Sequence, residues 1–289
     1  MIRRIHSLMV LMMSGAMVAS PGIVGAERES TRPTTTTSAA TEMYALIVGG
    51  INKDPEQQQA KDRAIIKLRK MLGGEGNVPA DHVRVLVDSS SLVSDPSGPS
   101  TAENLRKEID RLAKALTTSD TFIFYYVGQA NVVGGTLRVN LPGPDVTQDE
   151  LASLIAQVPA SRQLIVVDCP GAGLAAAALA KLDRIVICGS RSDQHYSTRF
   201  SEFFVPALGD AEADVNADGR ISIVEALRLA AERLDRLYRE QDLLKTETPL
   251  LEDDGDAVPS EQPWLYPENK KDGLRASQFF LGTGTVGKG

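Results

Sequence analysis

Residues 214–225 read Asp-Val-Asn-Ala-Asp-Gly-Arg-Ile-Ser-Ile-Val-Glu, with oxygen-bearing side chains at alternate positions and a closing glutamate. A hard cation such as Ca2+ takes six to eight oxygens that converge on one point. Asp214, Asn216 and Asp218 stand at positions 1, 3 and 5 of an EF-hand-type loop. Arg220 offers its backbone carbonyl, Ser222 a side-chain oxygen or a bridging water, and Glu225 a bidentate carboxylate at position 12. Gly219, at position 6, supplies the sharp bend that a Cβ would resist. Ile221 is the apolar residue that ties such a loop to its surroundings. The pattern predicts calcium binding. The same residues also suit an acidic loop that caps the following helix. EF-hands usually come in pairs, and no clear partner loop is present. Asp253, Asp254 and Asp256 form a second acidic run, which reads as a solvated loop or a weak cation site.

A second set of candidates is nucleophilic or basic. The chain has two cysteines, Cys169 and Cys188, and three scattered histidines, His6, His82 and His195. This excludes a disulfide framework and a Cys-rich zinc site. Cys169 and Cys188 read as small buried residues at neighbouring strand ends, or as a disulfide in an oxidising compartment. His195 is placed to approach Cys169 as an altered Cys–His pair. His82, next to Pro79-Ala80-Asp81, reads as a surface loop residue. No Walker sequence or GxGxxG fingerprint occurs. The net charge of −7 gives no basic footprint for nucleic acid.

These residues must be held by elements, and the apolar periodicity supplies them. Tyr44 to Val48, Val83 to Val87, Thr121 to Val127, Leu164 to Val167 and Arg184 to Cys188 are short apolar runs, as in strands buried on both faces. Between them, residues 56–72, Thr101 to Leu116, Thr147 to Gln157 and Leu174 to Leu182 carry helical spacing. Thr147 with Glu150 three residues on reads as a capping box. Thr136 to Leu141 reads as a hairpin arm after a Gly134-Gly135 turn. Thr198 to Leu208 and the apolar stripe Val224, Leu227, Ala231, Leu234 and Tyr238 predict helices on either side of the calcium loop. Strands alternating with helices imply an α/β fold of three layers, with a mostly parallel sheet and helices on both faces. Chemistry in such a fold sits at the carboxyl ends of the strands.

The N-terminus reads as an export signal. Arg3 and Arg4 precede the apolar run Leu8 to Val18, and Val24-Gly25-Ala26 places small residues before a cleavage point after Ala26. An uncleaved anchor is the alternative. Residues 27–42 are Thr/Ser-rich and read as a disordered spacer. The expected organisation is a leader over 1–26, a linker over 27–42, the α/β domain with its loop over 43–250, and a C-terminal extension over 251–289. Trp264 and Tyr266 read as packing anchors in that extension, and 282–289 as a flexible tail. The mature protein is expected to be soluble and either periplasmic or secreted.

The segments YALIVGG, FIFYYVGQ, NLPGPDVT, LIVVDCPGAG and VICGSRSD through TRFSEFF, in that order, resemble the caspase-like (clan CD) cysteine peptidases. They are most similar to bacterial proteins of the legumain family. The likeness covers roughly residues 43–250. It implies a caspase-like domain in which Gly-His-Gly after the third strand carries the base, and a cysteine after the fourth strand is the nucleophile. Here Gln129 stands at the histidine and Pro170 at the cysteine, with Cys169 one place early. Glutamine cannot accept a thiol proton near neutral pH. The resemblance therefore implies a protein that has lost catalysis and keeps a protein or peptide as partner, beside the calcium ion expected from the loop at 214–225. The alternative is a peptidase that uses Cys169 with His195.

Overall fold

The computed structural model describes residues 41–74, 76, 78–265 and 272–282. The expected leader over 1–26, most of the linker, Tyr266 and the tail beyond residue 282 lie outside the described residues.

Seven strands make the central sheet, in the order β10-β9-β8-β4-β1-β2-β3. They are β1 (Met43–Gly49), β2 (Val83–Val87), β3 (Gly98–Pro99), β4 (Thr121–Val127), β8 (Arg162–Asp168), β9 (Arg184–Cys188) and β10 (Leu250–Glu252). All pairings are parallel except β10 on β9. Every residue of β4, Thr-Phe-Ile-Phe-Tyr-Tyr-Val, is buried, which explains its unbroken apolar run. Side chains alternate between two cores, as a period of two requires. Ile47, Ile123, Tyr125 and Val166 face the core built with α1 (Pro55–Gly73), α5 (Phe200–Ala207) and α6 (Ile223–Glu240). Leu46, Phe122, Phe124 and Ile165 face the core built with α2 (Ala102–Ala115), α3 (Gln148–Ile155) and α4 (Ala176–Leu179). The chain is thus an α/β fold with helices on both faces of a mostly parallel sheet.

Local signals set the helix starts. Asp54 accepts hydrogen bonds from the Glu56 and Gln57 amides, with Pro55 at the first helical position of α1. Thr147 and Glu150 form the expected capping box at α3. A small antiparallel sheet of β5 (Ala130–Val133), β6 (Thr136–Val139) and β7 (Val146–Thr147) follows β4. Its first hairpin turns at Gly134 and Gly135, whose φ angles of +60° and +78° belong to a mirror-image turn that favours glycine.

The helix expected over Leu174–Leu182 is shorter. A 3-10 turn, Ala172–Ala175, leads into the four-residue α4. No side chain caps its start, and the buried Arg184 guanidinium takes the Leu179 carbonyl at 2.6 Å, ending it there. The body also continues past residue 250. β10 is part of the sheet, and Ala276, Phe279 and Leu281 are buried in the same core as α1 and α6, with Trp264 packed against it. No helix of the described residues is long and apolar enough to cross a membrane.

Candidate functional site: a groove, an acidic loop and a carboxylate cluster

Adjacent strands β4 and β8 end in register, Val127 opposite Asp168, so the two positions expected to carry chemistry lie side by side just beyond. The ends of β1 and β4 touch through their backbones. A Cβ on Gly128 would lie 2.8 Å from the Gly50 Cα, and one on Gly50 would collide with the Tyr126 hydroxyl. Gln129 follows. Its amide Nε2 donates to Gln57 Oε1 at 2.9 Å and to Ser197 Oγ at 2.7 Å, which occupies both hydrogens. Its carbonyl accepts from the Tyr126 hydroxyl at 2.6 Å and from the Asn140 amide at 2.9 Å. Gln129 is a fixed strut between α1 and the loop after β9, with no group that exchanges a proton near neutral pH.

The thiol side of the pair is equally inert. Pro170 is buried, and Cys169 is 0 % exposed inside the α2–α4 core. Burial pushes its thiol well above the ordinary range, and the nearby Asp168 and Cys188 add to that. A thiol held neutral is a poor nucleophile. Burial likewise raises Cys188 to about 12, and both cysteines are free thiols, so they form no disulfide. His195 is exposed and engages the Ser192 carbonyl at 2.9 Å, and no hydrogen bond joins it to Cys169. The anticipated Cys169–His195 pair is therefore not assembled, because one partner points into the core and the other toward solvent. His82, expected on a surface loop, stacks on Tyr44 with ring centroids 3.9 Å apart.

Two cavities flank Gln129. One of about 250 Å³ is lined by Asp54, Lys61, Gln129, Asp168, Arg199 and Glu202 among others. The other, about 590 Å³, is lined by Ile51, Asn131, Asn140, Gly143 and Asp145. They share Asn52, Asp54, Gln57, Gln129 and Ser197, so they are two stretches of one polar groove along the carboxyl edge of the sheet. This is where ligands sit in open α/β sheets.

Beneath the groove lie two buried acids. Asp168 Oδ2 accepts from the Ser201 amide at 2.8 Å and from the Ser201 hydroxyl, which also meets the Tyr125 hydroxyl at 2.8 Å. Its Oδ1 is buried without a partner. Glu247 takes the Arg199 amide at 2.7 Å and the Tyr238 hydroxyl at 2.9 Å. Burial raises both carboxyls, and burial together with the neighbouring Asp168 charge carries Glu247 from 4.5 to about 8. The folded protein then keeps a proton that the unfolded chain releases, so stability falls as pH rises between about 4.5 and about 8. The slope for one such proton reaches at most about 1.4 kcal/mol per pH unit. Glu247→Gln removes the charge; its amide oxygen can accept from Arg199, and its NH2 can donate to the Tyr238 hydroxyl, reversing that bond. Urea unfolding at several pH values is expected to show a flatter profile for the variant and its largest advantage at pH 8 and above. Parallel profiles would mean that Glu247 ionises normally. Glu247 lies in a loop with no surrounding motif, and the sequence reading missed it.

The acidic loop departs from a helix–loop–helix in its entry. α5 ends at Ala207, and a 3-10 turn, Ala211–Ala213, precedes Asp214. Arg233 of α6 pins that turn through Asp210 at 2.7 Å and Glu212 at 2.8 Å. Within the loop, the Asp214 carboxylate accepts from the amides of Asp218 at 3.1 Å and Gly219 at 3.0 Å. Asn216 takes the Asp218 amide at 2.8 Å, and Asp218 takes the Arg220 amide at 2.8 Å. Gly219 has φ +82°, the conformation that requires glycine. Ser222 and Glu225 form a capping box on α6, with Glu225 Oε2 on the Ser222 amide and hydroxyl at 2.9 and 2.7 Å. Glu225 Oε1 is buried with no partner. The donor set is all oxygen, Gly219 makes the bend, and Glu225 Oε1 has no partner among the described residues, so the donor chemistry suits a hard cation. The Asp214, Asp218 and Glu225 carboxylates do not gather within 4.8 Å of one another. Ile221 packs against the core, and Arg220 lies 3.6 Å over the Phe280 ring.

The carboxylates gathered most tightly among the described residues lie elsewhere. Oxygens of Glu252, Asp254 and Asp272 are all within 4.8 Å of one another and could hold a metal ion. The acidic run of the sequence is thus regrouped. Asp253 turns away to accept the amides of Gly273 and Ala276, both at 2.8 Å, and Asp256 accepts the Val258 amide at 2.7 Å.

The chain matches no family model, and no curated protein matches it.

Proposed function

We propose that this is an exported, non-catalytic protein of caspase-like character, similar to the legumain family, that binds Ca2+ as a structural ion and holds a protein or peptide segment in the groove beside Gln129. The observation that carries the reading is the state of the two chemistry positions. The Gln129 amide donates to Gln57 and Ser197, and Pro170 and Cys169 are packed away behind it. A groove whose base and nucleophile are replaced by a strut and a buried proline retains only recognition. Its lining carries the side-chain amides of Asn52, Asn131 and Asn140 and the charged Lys53 and Asp145, which suits an extended polar segment.

Asp214, Asn216, Asp218, the Arg220 carbonyl, Ser222 and Glu225 are the residues that would hold calcium. The ion would supply charge neutralisation and would draw together the Asp214, Asp218 and Glu225 carboxylates of the loop. The leader argues for a compartment where calcium is abundant, and sites there bind in the 0.1–1 mM range, so the ion would stay bound and act as a brace.

Incubation of the full protein with thiol-directed activity probes and with basic, Asp- or Asn-containing peptides, with and without calcium, tests the loss of catalysis. Neither turnover nor native-state labelling is expected, and Cys169 should react only in denaturant. Turnover that disappears in Cys169→Ala would overturn the reading.

A further inference from the structure

We infer that Glu252, Asp254 and Asp272 form a second divalent-cation site, of the calcium class, which fastens residues 272–282 to the edge of the sheet. Proximity of acids alone would not carry this, since acidic groups often meet without an ion. The decisive feature is Glu252. Its side chain is 0 % exposed; Oε1 accepts the Gly255 amide at 2.6 Å, and Oε2 is buried with no hydrogen bond of good geometry among the described residues, the Ala257 amide being the nearby backbone donor. A buried carboxyl short of donors is costly to ionise, and burial with the neighbouring Asp272 and Asp254 raises Glu252 to about 7, a cost that a cation would offset. A carboxylate oxygen of Glu252 lies within 4.8 Å of oxygens of Asp254 and Asp272. Among the described residues, no Lys or Arg nitrogen comes within 4.0 Å of these three carboxylates. The buried Arg184, whose charge Glu252 influences, directs its hydrogen bonds to Gln163 and the Leu179 carbonyl instead.

Backbone hydrogen bonds hold the scaffold of the site. The Asp253 amide donates to Asp272 Oδ1 at 2.8 Å, and the Asp253 carboxylate holds the amides of Gly273 and Ala276. Gly255 and Gly273 adopt φ of +83° and +109°, turning the chain tightly on both sides of the cluster. Asp254 is only half-buried and leaves a way in from solvent. With carboxylate oxygens as the only side-chain donors, and no His or Cys in the group, the site suits a hard cation and not a thiolate- or imidazole-seeking metal. The segment it would fasten is the one that backs α6, where the Ile223 amide meets the Phe279 carbonyl at 2.9 Å and Ser222 bridges to Phe280.

The site does not depend on the loop at Asp214. Calorimetric titration of chelator-treated full-length protein with CaCl2 separates the two. Two ions per wild-type chain are expected, one in Asp254→Asn, one in Asp214→Ala and none in the double variant. Asp254 is chosen because it is half-exposed, and circular dichroism confirms folding of each variant. Glu252→Gln is the second probe, and it should remove the same ion. A single ion that survives Asp214→Ala and vanishes in Asp254→Asn would keep this site and refute the loop. Stoichiometry unchanged by both Asp254→Asn and Glu252→Gln would overturn the inference.

Discussion

Lys61→Met is expected to destabilise the protein by about 3–5 kcal/mol, the usual result of removing one partner of a buried ion pair. Lys61 projects from α1 and Asp88 from the end of β2, with side chains 2 % and 9 % exposed and Nζ 2.8 Å from Oδ2. The same ammonium donates to the Gly50 carbonyl, at the point where β1 enters the groove. Burial alone would raise the Asp88 carboxyl. The hydrogen bonds from Lys61 and Ser90 outweigh it and hold that carboxyl below its ordinary value. Methionine fills the space of the lysine stem but leaves Asp88 charged and buried and the Gly50 carbonyl without a donor. For a domain of this size each kcal/mol moves Tm by about 2–4 °C, so a fall of at least about 6 °C is expected in calorimetry. Adding Asp88→Asn should return part of the loss, because the uncompensated charge is then gone. If Lys61→Met costs under about 1 kcal/mol, the pair does not hold α1 to the sheet.

What could be read in advance follows the range of the interaction. The runs that became β4 and β9 declare themselves because a strand between two helix layers has no polar face. The capping box at Thr147 and Glu150 is legible because all its partners lie within four residues. That Gln129 and Pro170 lie just past the ends of β4 and β8 was legible because both strands end where their apolar runs do. Contacts made by distant residues were not legible. Leu174–Leu182 looks like one helix in composition, yet Arg184 captures the Leu179 carbonyl and shortens it. The polar C-terminal stretch gives no hint that Phe279 and Leu281 complete the core under α1 and α6. The acidic run shows the same effect. Glu252 and Asp254 share a side of the extended chain while Asp253 takes the other. Asp272, eighteen residues beyond Asp254, is brought in by the fold alone. Sequence neighbours had suggested Asp253 and Asp256 instead.

Addition of calcium to 10 mM is expected to raise Tm by about 3–10 °C through the loop at Asp214–Glu225, measured in the Asp254→Asn background so that only this loop responds. A site with Kd of about 0.1–1 mM is then saturated 10- to 100-fold, which contributes about 1.4–2.7 kcal/mol by mass action. Each kcal/mol again corresponds to about 2–4 °C. Asp214→Ala should abolish the calcium increment. It also removes the acceptor of the Asp218 and Gly219 amides, so its calcium-free Tm falls as well and only the increment is diagnostic. Glu225→Gln is the sharper variant. Glutamine serves a capping box as glutamate does, so the start of α6 should survive and the calcium-free Tm should change little. As a ligand, a neutral amide does not bring the charge that the carboxylate gives the ion, so the increment should shrink to near zero. A loop that merely caps α6 would show the reverse, with no calcium increment in wild type and none to lose in the variant. Glu225 thus separates the two meanings of one sequence pattern. The cap uses Oε2, and the ion would use the buried Oε1, which has no hydrogen-bond partner among the described residues.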